Sequence, residues 1–63
     1  MRNEKAKVGD LIKITSLKDP FDSTYEGRIG RVEIIDSLGQ LHGTWGGLAV
    51  IPEVDSYIIL NHA

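Results

Sequence analysis

The stretch IGRVEIIDSLGQLHGTWGGLAV, residues 29–50, decides how this chain folds. Its β-branched and apolar residues come in short runs, broken by Asp36-Ser37-Leu38-Gly39 and by Gly46-Gly47. Asp first and Gly fourth suit a type I turn. Two adjacent glycines can take the positive φ values of a two-residue type I′ hairpin. If the first turn pairs Ile35 with Gln40, then Ile34 falls opposite Leu41, Val32 opposite Gly43 and Gly30 opposite Trp45, all on one face. The other face receives Glu33 with His42 and Arg31 with Thr44, polar throughout. A one-residue slip would mix the faces, so the pattern selects its own register. The second turn sets Trp45 opposite Leu48, Gly43 opposite Val50 and Leu41 opposite Pro52, which turns the same face inward. Gly30 and Gly43 then leave room for a large indole.

Outward from this double hairpin the chain stays strand-like. Val8, Leu11 and Ile12 have helical spacing, but Gly9 and the β-branched residues Ile12, Ile14 and Thr15 favour a strand over Asp10 to Ser16. Leu17 to Gly27 reads as a connection of about eleven residues, longer than most in so small a domain. Lys18-Asp19-Pro20 opens it, since proline fixes φ and disfavours helix in the residue before it. Pro52 to Asp55 makes a turn, and Ser56 to Leu60 reads as the last strand. Five short strands joined by one long loop and three tight turns predict an all-β fold, a small five-stranded SH3-like barrel. An OB-fold would usually need longer strands. The barrel is expected over residues 8–60, between a flexible basic tail (1–7) and a short C-terminal tail (61–63).

Length and composition fit one small globular domain. The 63 residues are 41% hydrophobic and 25% charged, too apolar for a disordered chain. No apolar run reaches the roughly 18 residues that span a bilayer. The charged N-terminus leads into no signal-peptide core, so a cytoplasmic protein is expected. Cysteine is absent, which removes disulfides and thiolate metal sites. A domain of about 60 residues is marginally stable, and self-association is one way to add stability, so a homodimer stays open.

The order of motifs resembles a known family. Val8-Gly9-Asp10 entering a strand, Asp19-Pro20 in a long loop and Gly27-Arg28-Ile29-Gly30-Arg31-Val32 are similar to the G-x-x-G-x-V signature of SH3-like barrels. Gly39-Gln40-Leu41, Trp45 followed by glycine, Leu48 and the Pro52 to Asp55 turn extend the likeness over Val8 to Leu60. Together they resemble short, functionally uncharacterised SH3-like proteins of phages and conjugative elements of Gram-positive bacteria. That family tends to carry an acidic residue and a longer turn after the tryptophan, where this chain has only Gly46-Gly47. The resemblance implies a mobile-element context and no catalytic residues.

No catalytic set stands out. Ser37, His42 and Asp36 supply the residue types of a hydrolase triad, but no oxyanion donor or pocket accompanies them. The carboxylates are dispersed, the two histidines are far apart in sequence, and no phosphate-cradling glycine loop is present. A non-enzymatic interaction module without cofactor or metal is therefore expected. Its candidate partner-binding residues are Phe21 and Tyr25 in the long loop and Tyr57 in the last strand. The resemblance implies that such a loop borders the ligand groove, and Asp19, Asp22 and Glu26 would suit a basic peptide there. The alternative is a nucleic-acid-binding barrel accessory to replication, packaging or transfer, using Arg2, Lys5, Lys7, Lys13 and Arg31. Charge speaks against it: the first seven residues carry net +2, while the rest carries net −4, and nucleic-acid affinity rests on neutralising phosphates. The acidic body also raises a third idea, an inhibitor of a host defence nuclease.

Overall fold

The computed structural model describes residues 5–18 and 24–63. Five antiparallel strands form one sheet: β1 (Leu11–Ser16), β2 (Ile29–Ile35), β3 (Leu41–Gly43), β4 (Gly46–Val50) and β5 (Ser56–Asn61). Their order is β4-β3-β2-β1-β5. The expected all-β, five-stranded architecture is present, and this order is consistent with an SH3-like barrel. Ile12, Ile14, Leu17, Val32, Leu41, Trp45, Val50 and Tyr57 make the core, joined by Ala6 from the segment before β1. The helical spacing of Val8, Leu11 and Ile12 comes to a turn instead: Asp10 N–H donates to Lys7 C=O (3.0 Å) and β1 begins at the next residue.

The first hairpin keeps its predicted register at one end and loses it at the other. Val32 pairs with Gly43 as expected, but Ile35 pairs with Leu41 and Ile34 with His42. The cause is the turn. Gly39 N–H donates to Asp36 C=O, Asp36 N–H donates to Gln40 C=O, and Gly39 takes φ +81°. This is a type I turn followed by a left-handed glycine, a three-residue loop closed by Asp36 and Gln40 rather than by Ile35 and Gln40. The one-residue slip is absorbed by a bulge between Val32 and Ile34. Ile34, expected inside, is therefore 61% exposed. His42 finds Asp36 (2.9 Å) and not Glu33.

The second hairpin turns earlier than expected. Gly43 pairs with Gly46 and Leu41 with Val50, so the chain reverses at Thr44-Trp45 instead of Gly46-Gly47. Gly46 has a positive φ and Gly47 does not, which excludes a type I′ turn across them. The expected pairing of Thr44 with Arg31 is kept. Thr44 N–H donates to Arg31 C=O (3.1 Å), and Arg31 N–H donates to Thr44 Oγ1 (2.9 Å). Thr44 thus stays beside β2 while Trp45 folds inward. The indole is buried, as expected, and its Nε1–H donates to Leu48 C=O (2.7 Å).

Both glycines beside the indole are needed for space. A Cβ on Gly43 would lie 2.2 Å from Arg31 O and 2.5 Å from Trp45 Cζ3; one on Gly30 would lie 2.8 Å from Trp45 N. Gly47 meets nothing within 4 Å. Gly43→Ala should cost on the order of 2–3 kcal/mol, because overpacking displaces a rigid ring. Gly47→Ala should stay within about 0.5 kcal/mol. Urea unfolding followed by the emission of Trp45 separates these outcomes; a type I′ turn at Gly46-Gly47 would instead penalise Gly47→Ala.

Candidate functional site

Two turns and the floor between them form an open groove of about 670 Å³. One wall is the tip of the β2–β3 hairpin. Asp36 Oδ1 accepts from Leu38 N–H and Gln40 N–H, both at 2.9 Å, so its side chain fastens the turn that carries Leu38. Leu38 projects from this tip at 77% exposure, with Ile35 below it. The other wall is the turn 51–55. Val54 N–H and Asp55 N–H both donate to Ile51 C=O, and Ile51 N–H returns a bond to Asp55 Oδ2 (2.9 Å). That wall presents Pro52 and Val54. Leu41, Tyr57 and Ala6 form the floor and belong to the core.

Two buried carboxylates hold the surroundings. Asp55 Oδ1 accepts from Lys18 N–H (2.9 Å), which moors the start of the long connection to the groove wall. Asp10 Oδ2 accepts from Lys7 N–H and Oδ1 from Ala63 N–H, each at 2.9 Å, with His62 Nδ1 3.7 Å away. The bond from Ala63 N–H, then that from Lys7 N–H, holds the Asp10 carboxyl below the ordinary aspartate range. Asp36 is likewise held low, first by the His42 side chain and then by Gln40 N–H. No described side-chain polar atom is buried without a partner.

Both oxygens of Asp36 are engaged, by two backbone donors and by His42, and no hydrogen bond links Ser37 to His42 among the described residues. Nor does any group of three His, Asp or Glu side chains there come together as a metal site. No helix in the described residues is long and apolar enough to cross a membrane.

The sequence-predicted site residues are dispersed. Phe21 and Arg2 lie outside the described residues. Tyr25 is half-buried, its ring 4.3 Å beneath the Arg28 guanidinium and against Gly46, and takes no part in the groove. Tyr57 lines the groove but is a buried floor residue, its Oη accepting from Ala6 N–H (3.2 Å). Lys5 lies at the groove, whereas Lys13 and Arg31 stand on strands β1 and β2, near each other in the register. Lys7 precedes β1, exposed. Arg31 Nη1 donates to Gly9 C=O.

Leu38 and Val54 were legible as turn residues and missed as surface. The available signal was a leucine between Ser37 and Gly39, where a turn usually carries a polar residue. No family model, curated protein or solved structure matches this chain.

Because Asp10 and Asp36 titrate lower when folded than when unfolded, the unfolded chain binds protons first as pH falls. The stability they contribute is therefore complete above about pH 4 and is lost as pH drops through their lowered folded values. Urea midpoints measured from neutral pH into acid should hold and then fall. Asp10→Asn and Asp36→Asn should each start lower and fall less steeply.

Proposed function

We propose that this chain is a non-enzymatic protein-interaction module that docks an apolar segment of another protein in the groove between Leu38 and Val54. The observation that carries this reading is Leu38 itself, held 77% exposed on a fastened turn above a floor of core side chains. An exposed aliphatic side chain on a rigid rim loses little conformational freedom on binding, and its burial is favourable. The groove's volume lies in the range of sites that enclose a compact ligand or a few side chains. The long connection contributes at its near end, since Lys18 is bonded to the Asp55 that helps build the wall. Glu53 at the rim favours a basic residue flanking the docked segment.

The nucleic-acid and nuclease-inhibitor readings have less behind them. The basic side chains proposed for phosphate binding divide between the groove and the β1–β2 strands, and a phosphate track needs them in line. Eight acidic residues in the body are few for a nucleic-acid mimic. A setting in a phage or conjugative element rests on the resemblance of the Val8 to Leu60 motifs.

The test is a selection of displayed random peptides against the folded domain, followed by amide-shift mapping of the isotope-labelled protein. Apolar peptides with a basic flank should move Leu38, Leu41, Ile51, Val54 and Tyr57. Leu38→Asp should weaken binding about tenfold or more while Trp45 emission stays unchanged. Shifts confined to Lys13 and Arg31 on adding DNA or RNA, reversed by salt, would sink the reading.

A further inference from the structure

The side of β2–β1–β5 turned away from the core carries an apolar set of its own. Ile12 and Ile14 point inward and are fully buried, so Leu11, Lys13 and Thr15 point outward. Lys13 pairs with Ile29 on β2 and with Ile58 on β5. Directly opposed residues share a face, which makes Ile29, Lys13 and Ile58 one row across three strands. Leu11 lies in the next row, opposite Arg31 and Asn61, with Leu60 beside it. Ile29, Ile58 and Leu60 are each about half exposed, at 54%, 49% and 45%. β5 is an edge strand, and its residues Ser56–Asn61 contain neither a charge nor a proline to discourage association.

We propose that this face is a homodimer interface, with a second copy of the chain laid against it across a two-fold axis. Two arguments select that occupant. A two-fold interface brings one patch against itself, so a charged patch must hold both signs. This face does: Lys13 and Arg31 stand within the apolar rows and Glu33 is exposed further along β2, and neither Lys13 nor Glu33 makes an ion pair among the described residues. Glu33 lies four positions along β2 from Ile29, the partner of Lys13, roughly 13 Å at strand spacing. The two charges are thus too far apart to meet within one chain and are placed to meet across two. A standard interface takes about 800 Å² from each partner, about a fifth of this molecule's 4278 Å², so the dimer takes in the whole outer face and its rim. Finally, a domain this small gains from burying more apolar surface than its own core can reach. In the dimer the Lys13 stem covers Ile29 and Ile58, and its ammonium reaches Glu33 of the second copy. The groove lies elsewhere on the molecule, and this inference does not depend on it.

Sedimentation equilibrium from about 10 µM to about 1 mM tests the assignment. The apparent mass should rise from the 7.0 kDa of one chain towards twice that value. Ile58→Asp should raise the dissociation constant on the order of 100-fold, and Ile29→Asp similarly, with Trp45 emission reporting that each variant is folded. Lys13→Glu and Glu33→Lys should each weaken the dimer about tenfold, and the double variant should recover most of the loss. Leu38→Asp should leave the dimer intact. A wild-type chain that is monomeric at about 1 mM overturns the proposal, as does a dimer that survives Ile58→Asp and Ile29→Asp or one that Leu38→Asp disperses. A dimer indifferent to both charge variants overturns the Lys13–Glu33 contact and the face-to-face arrangement built on it.

Discussion

One buried ring sets the geometry of the sheet's second half. The indole of Trp45 needs an open slot, and Gly30 and Gly43 supply it by having no side chain at the two points of closest approach. The polar edge of the ring is satisfied by Leu48 C=O, and the Trp45 carbonyl accepts from Arg28 Nη1 (2.8 Å). Arg28 also donates from Nε to Thr24 C=O (3.3 Å) and covers the Tyr25 ring. The same residue that fills the core therefore fixes the end of the long connection and the start of β4.

Around that centre, carboxylates do the work that more secondary structure would do in a larger domain. Asp10, Asp36 and Asp55 each accept two backbone N–H groups from segments that no strand partner satisfies. Glu26 does the same for Leu17 N–H (2.9 Å) across the mouth of the long connection. An unpaired buried N–H is costly, and an ionised acceptor is a strong remedy. Four of the six acidic side chains described in the body thus serve the backbone, which is why a negative net charge here says little about the charge of a partner.

The fold was legible where side-chain alternation met a buried face, and illegible where backbone bonding in a turn decided the outcome. Ile29–Ile35 was read with its observed bounds, β5 ended one residue early, and the core positions Val32, Leu41, Trp45 and Val50 followed from period-2 patterning. The slip at Asp36 was not visible, because Asp-Ser-Leu-Gly fits both a four-residue loop and a three-residue loop with a left-handed glycine. Choosing between them requires knowing that a bulge at Glu33 can restore the register. Gly46-Gly47 misled for a related reason: the sequence shows that two glycines can turn, and only the pairing of Gly43 with Gly46 shows that the chain has already turned. The groove was harder still, since its walls are two turns distant in sequence and its exposed residues look like ordinary turn and strand residues.

The carboxylate of Asp10 receives Lys7 N–H on one oxygen and Ala63 N–H on the other. Entry to and exit from the folded body thus lie side by side, pinned to a single residue. Geometrically the domain is a closed loop of chain with a narrow neck, the form in which a unit can be spliced into a surface turn of another protein without prying that turn apart.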